Sequence, residues 1–317
     1  MNPVCFLTPD PEDEDYHLLW RDTLAHLVAA LARAGIGSDA RGWTEAGDLT
    51  GYGLVMPLLV WGYHRACARW IDHVTAWERE GVDLRNPANA LRWNADKSYL
   101  GMLAERGAPV VPTIYVDRMT EAALEDAAAR FGVDRLVAKP RVSATAWRTI
   151  RWARGGSLEG GPEGAAMIQP YLPAIESEGE VSLIHIGGNL SHAIRKRPRA
   201  GDFRVQPEYD GILTPHDPAL DEIHAARRIL AAIDGDLLYA RVDLVRDDAV
   251  APVLMELELV EPDLSLEFDP GKGALFAEAV AGELTKRQRN TLRHAQGERR
   301  LDDLPLENRG SPSPRSR

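Results

Sequence analysis

At 317 residues the chain is long enough to bury a large core and to divide into two or three domains. Its 44% hydrophobic and 27% charged residues are the balance of a globular protein and exclude a disordered or fibrous chain. A net charge of −11 argues against nucleic acid or anionic lipid as a partner for the body of the molecule.

Residues 4–7 read as a buried strand, followed by the acidic loop TPDPEDEDY. Residues 18–34 carry apolar side chains at helical spacing, and Gly35 closes the helix. Residues 36–43 and 54–60 read as two more strands, and residues 63–80 as a helix stopped by Gly81. This order predicts an α/β unit with a parallel sheet, ending near Asn86 and Pro87. No GxGxxG follows the first strand, so a Rossmann-type dinucleotide site is not supported. The longest apolar run, residues 54–61, is too short to cross a bilayer and contains Pro57. No basic segment followed by an apolar one opens the chain. Cys5 and Cys67 lie far apart, outside any CxxC, which fits a reducing compartment. The cytoplasm is the expected location.

Asn94 is expected to cap a helix over residues 95–106, with Lys97 in its first turn. A cation there opposes the helix dipole, so it is either solvated or held by a partner. A strand over 110–116 and an amphipathic helix over 121–131 follow. Residues 136–140 (LVAKP) form a strand that sets Lys139 among apolar neighbours. Such a lysine is either an edge residue with a snorkelling stem or a phosphate-binding point charge. Residues 141–154 read as a basic β-ribbon, and Ser143 and Thr145 offer hydroxyls to a phosphate. After a glycine-rich loop, residues 167–172 are extended. Residues 180–186 and 190–196 pair as a hairpin around Gly187 and Gly188, with His185 and His192 as strand-face residues without a role. Arg195, Lys196, Arg197, Arg199 and Arg204 form a cationic run, either a solvated face or a nucleic-acid patch. Phe203 alone interleaves it, which weakens the second option. A helix over 218–233 is expected to be capped by Asp217. From Thr285 the chain turns basic and apolar-poor, and a disordered tail is expected.

Residues 238–266 hold two apolar-alternating runs around Asp247 and Asp248 and read as a β-hairpin. Side chains two apart on a strand share a face. Arg241 and Asp243 therefore face one way, and Val242 and Leu244 the other. On the second strand Glu256 and Glu258 share a face, with Met255, Leu257 and Leu259 opposite. Pairing the strands brings Asp243 close to Glu256. Three carboxylates at one spot need a compensating cation if buried, and Mg²⁺ is the hard cation that takes such ligands. Cα atoms of Glu256 and Glu258 roughly 7 Å apart suit one ion or a pair about 4 Å apart. A solvated strand face alternates in the same way.

The ordered set of Lys97, the VAKP lysine, QPYL, GEVSL, RKRP with DFR, RVD and ELE resembles the ATP-grasp superfamily of carboxylate–amine ligases. Within it, VAKPRVSA and SHAIRKRPRAGDFRVQ are most similar to the cyclo-ligases that close O-ureido-serine to cycloserine. The resemblance implies a mixed α/β fold: a small N-terminal α/β domain (1–88), two subdomains clamping a nucleotide (89–166 and 167–284) and the tail (285–317). It implies ATP and Mg²⁺, two ions by the usual pattern, as cofactors. Lys97 and Lys139 would grip phosphates, and Gln169, Tyr171 and Leu172 would form the hinge beside adenine. Glu180 would lie near the ribose or purine edge. Lys196 and Arg204 would neutralise the transferring phosphate, and Arg241 the tetrahedral oxyanion. Asp243, Glu256 and Glu258 would hold metal. Two departures stand out: Glu258 replaces the usual asparagine, and the loop after Lys139 lacks glycine until Gly155.

The expected activity is ATP-dependent ligation of an amino-acid-like carboxylate to a nitrogen nucleophile through an acyl phosphate, with intramolecular cyclisation as one form. A catalytically inactive ATP-binding scaffold or sensor is the competing expectation. Substrate contacts are expected from residues 8–16 and 61–65, no nucleic acid or membrane partner is expected, and a homodimer is one expected assembly.

Overall fold

The computed structural model describes residues 2–13, 15–16, 20–199, 204–205 and 210–302, with backbone alone after 289. Phe203 and residues 303–317 lie outside the described residues. Strand β1 (Val4–Thr8) is wholly buried and runs between β2 (Ser38–Gly42) and β3 (Leu54–Met56), parallel to both. Strand β3 stops well short of residue 60. Pro57 has no N–H to continue the ladder, and the apolar residues beyond it are buried as a turn. Helices α1 (Trp20–Arg33) and α2 (Cys67–Arg79) flank this sheet.

Of the expected helix over 95–106 only α4 (Tyr99–Glu105) forms, and a separate short helix, α3 (Ala88–Asn94), precedes it. Asn94 does not cap a helix, and Lys97 lies in the turn between the two rather than in a first turn. Next come β4 (Ile114–Val116), α5 (Glu121–Phe131), β5 (Arg135–Pro140), β6 (Ile150–Ala153) and β7 (Ala166–Pro170). Helix α5 forms where expected because both ends are fixed locally. The Thr120 hydroxyl accepts the Ala123 N–H at 3.1 Å, and Gly132 ends the helix at φ 69°. The four strands make an antiparallel sheet in the order β4-β7-β5-β6, covered by α5. Only residues 150–153 of the expected ribbon are strand; residues 141–149 form a looped turn with Thr145, Ala146 and Arg148 at positive φ.

After the short helix α6 (Ala174–Ser177) come β8 (Glu180–Ile186), β9 (Asn189–Arg197), β10 (Ile212–His216), α7 (Leu220–Ala231), β11 (Tyr239–Arg246) and β12 (Pro252–Glu258). These strands form an antiparallel sheet ordered β10-β9-β8-β11-β12. Its greasy face, including Leu183, Val242, Leu244 and Leu257, packs on α4 and α7. Helix α7 is entered not through Asp217 but through Ala219, whose N–H donates to the Glu222 carboxylate at 2.9 Å. The edge of β12 is covered by side chains. Asn94 donates to the Leu257 carbonyl at 2.9 Å and accepts the Leu259 N–H at 2.8 Å, and the Tyr99 hydroxyl accepts the Leu257 N–H at 2.9 Å. Helix α8 (Ala274–Asp302) continues into the stretch expected to lack structure, and Arg287 donates to the carbonyls of Tyr52 and Gly53. No helix among the described residues is long and apolar enough to cross a membrane.

Candidate active site

A cavity of about 470 Å³ opens between the four-stranded and five-stranded sheets. Every side chain to which the resemblance gives a role lines it. Lys97 comes from the α3–α4 turn, Lys139 from β5, and Gln169, Tyr171 and Leu172 from the end of β7 and just beyond. Glu180 comes from β8, Lys196 from β9 and Arg204 from the segment after it. Arg241 and Asp243 come from β11, Glu256 and Glu258 from β12. The register sets Asp243 opposite Glu256 and Arg241 opposite Glu258, as the alternation predicts.

The bulge beside that pair was not legible. Leu244 pairs with Leu254, so Met255 is an extra residue on β12. Met255, expected on the greasy face, instead lines the cavity with Val111, Val137, Val205 and Val245. Tyr171 belongs to the same apolar cluster, with Arg135 and Arg151 over its ring. Gln169 is buried and donates to the Thr113 hydroxyl at 2.9 Å. Together they give a flat, apolar slot with a polar edge.

The five-stranded wall is a charge network. Arg241 Nε and Nη2 donate to Asp243 at 3.0 and 2.9 Å, and Nη2 also pairs with Glu258. Ser182 Oγ donates to Asp243 at 2.6 Å. Lys196 stands 2.9 Å from Glu180 and 3.7 Å from Asp243. Lys97 stands 3.0 Å from Glu256 and also donates to the Ser143 carbonyl. The basic run therefore does not form a solvated patch at its start. Lys196 points inward, and Arg195 donates to the Glu178 carbonyl at 2.9 Å beside Glu222.

Lys139 is different. It is 8% exposed, and its ammonium makes no hydrogen bond or ion pair among the described residues. Burial pushes its pKa down, against the pull of Glu256. Burial resists ionisation of Asp243, but Arg241 and Lys196 outweigh it and hold the carboxyl down to about 2. Burial likewise opposes ionisation of Glu256, and Lys97 and Lys139 bring it below the usual carboxylate range. Glu258 is pushed up to about 7 by burial, which Arg241 opposes and the charges of Asp243 and Glu256 reinforce.

Among the described residues no three His, Cys, Asp or Glu side chains already stand as a metal-binding group. The carboxylates are turned onto Arg241 and Lys97 instead. Their chemistry nonetheless fits a hard cation: the donors are carboxylate oxygens, and Asp243 and Glu256 add their repulsion to the burial that raises Glu258.

The first domain also reaches the cavity, through Tyr16, Trp61 and Gly62, within two of the loops expected to contact substrate. The Tyr16 hydroxyl lies 3.2 Å from Thr145 Oγ1. Ser143 and Thr145 both line the cavity. Sequence reasoning missed Glu261, Asp263 and Ser265, which follow β12 where the alternation ends.

A family model for the N-terminal domain of D-cycloserine synthetase DcsG matches residues 4–86. Cycloserine biosynthesis protein DcsG of Streptomyces lavendulae is 33% identical over 245 residues, covering 69% of this chain and 76% of that protein. The crystal structure of D-cycloserine synthetase DcsG matches with a TM-score of 0.77 at 27% identity, over 89% of this chain and 99% of that one. The ATP-grasp ligase PsnB, solved with minimal precursor, Mg and ADP, shares the fold at a TM-score of 0.58 and 13% identity, over 89% and 97% of the two chains. The chain belongs to the DcsG family and has the fold of the ATP-grasp ligases.

Proposed function

We propose that the chain phosphorylates a small-molecule carboxylate with ATP and then joins it to a nitrogen nucleophile, with ring closure of an O-ureido-serine as the specific case. The observation that carries this reading is the buried Lys139, whose ammonium has no partner among the described residues, on the same cavity as Asp243, Glu256 and Glu258. A buried cation without an anion is costly. The phosphates of a nucleotide supply that anion.

A carboxylate is a poor electrophile because its charge is delocalised. Its oxygen attacks the γ-phosphorus, ADP leaves, and an acyl phosphate results. The nitrogen then attacks the carbonyl carbon, loses its proton, and phosphate departs with the electrons of the C–O bond. Such transfer depends on positioning and on neutralising charge. Lys97 and Lys139 hold phosphate oxygens. Lys196 and Arg204 offset charge on the moving phosphoryl group, and Arg241 steadies the tetrahedral oxyanion. The slot of Gln169, Tyr171, Leu172 and Met255 takes adenine, and Glu180, beside Lys196, meets its ribose or purine edge. Asp243, Glu256 and Glu258 would hold Mg²⁺, as one ion or two, which neutralises phosphate charge when bound.

The test is ADP release with Mg²⁺ against O-ureido-serine and a panel of amino acids with and without added amines. The Asp243→Asn and Glu256→Gln variants are expected to lose about 10²–10³-fold in turnover. Normal turnover by both variants rejects the metal assignment. Product formed without an added amine supports ring closure, and ADP release that always needs one rejects it.

A further inference from the structure

The charges around the cavity do not all cancel. Lys97, Lys196 and Arg241 already have carboxylate partners in Glu256, Glu180, Asp243 and Glu258. Lys139 has none, and neither has the carboxylate of Glu261 among the described residues. Glu261 lies three residues beyond Glu258, and Trp61 Nε1 donates to its backbone carbonyl at 3.4 Å. Burial pushes its pKa well above the ordinary carboxylate range, and the charges of Glu258 and Glu256 add to this.

A second observation falls on the same loop. Ser265 is 2% exposed, lines the cavity, and its hydroxyl has no hydrogen-bond partner among the described residues. Its backbone is pinned on both sides. The amide donates to Asp263 Oδ1 at 2.8 Å, the carbonyl meets His192 Nε2 at 3.1 Å, and φ is 48°. A serine held in the left-handed region persists only where its surroundings fix it. An unused buried hydroxyl and an unused carboxylate therefore face one chamber.

We propose that Glu261 is the specificity-determining residue for the α-ammonium group of an amino-acid substrate, with the Ser265 hydroxyl hydrogen-bonding another polar group of the same molecule. This rests on the ligation reading above. The α-ammonium of an amino acid is two bonds from the carboxylate carbon that is activated. Glu261 lines the same cavity as Glu256, Glu258, Lys97 and Arg241, three residues beyond Glu258, which sets its carboxylate beside the groups assigned to the activated carboxylate. A cation placed there relieves the repulsion among three glutamates. A neutral analogue leaves the half-buried Glu261 unpaired, and sites built for a polar partner reject the analogue that lacks it.

The experiment compares O-ureido-serine with its des-amino analogue. Binding is measured by calorimetry with Mg²⁺ and a non-hydrolysable ATP analogue, and ADP release is followed in parallel. Wild type is expected to favour the amino acid by about tenfold or more, the range of a charge-assisted hydrogen bond. Glu261→Gln brings that ratio near one, Glu261→Asp retains a preference, and Ser265→Ala weakens both ligands alike. A ratio unchanged in Glu261→Gln overturns the inference, as does wild type binding the two compounds equally or binding neither. Failure of ADP release with every carboxylate tested rejects the ligation reading instead, and the binding ratio stands apart from that result.

Discussion

The two walls of the cavity solve the burial of charge in opposite ways. On the five-stranded wall Arg241, Lys196 and Asp243 lie in one ion-paired network with Glu180 and Glu258. On the four-stranded wall Lys139 is equally buried and has no partner among the described residues. A networked wall keeps its shape without ligand, because each charge holds another in place. An uncompensated one is complete only when an anion arrives. Ligand binding is thus expected to stabilise the β5 side more than the β11 side.

The largest test strikes the networked wall. Arg241→Lys keeps the charge but loses the planar fork that reaches Asp243 and Glu258 together. Turnover is expected to fall about 10²-fold with a small change in KM for ATP, read from steady-state ADP release. A raised KM with unchanged turnover would mean the arginine serves binding rather than the transition state. Next, Lys139→Met removes the lone ammonium. The ligand-free protein should melt higher, by the equivalent of about 1–3 kcal/mol, while the shift produced by ATP and Mg²⁺ shrinks. A variant that melts lower without ligand would show that Lys139 is compensated after all, and the contrast between the walls would fail.

The smallest effect lies on β8 of the five-stranded sheet, at His185. This residue is buried, its Nδ1 has no partner among the described residues, and burial lowers its pKa from 6.5 to about 4. Folding therefore favours the neutral ring. Its contribution is present in full above pH 6.5 and is lost as pH falls through about 4. The upper bound is about 3 kcal/mol. In thermal melts His185→Gln should lose less stability than wild type between about pH 7 and pH 4.5. Parallel profiles would place the acid sensitivity elsewhere.

Much of this was readable before any coordinates. Alternation alone sets Arg241, Asp243, Glu256 and Glu258 on one face, because a strand has a two-residue period that nothing distant can change. Helix α5 was readable because its cap and its terminating glycine lie within the segment. Asn94 was misread for the opposite reason. Its local pattern is that of a cap, but the unpaired edge of β12, more than 160 residues on, offers its amide two better bonds. Met255 was misplaced because a bulge costs one residue of register and leaves no mark in composition.

The sequence by itself determined the chemistry available: three lysines, and an arginine and three carboxylates at spacings that face one way. Only the tertiary structure decided which charges meet, because pairing depends on how three sheets close around a cavity. It spent Lys97 on Glu256 and Lys196 on Glu180, and left Lys139 and Glu261 without partners among the described residues. Local spacing fixes the direction of a side chain; only packing fixes what lies at the end of it.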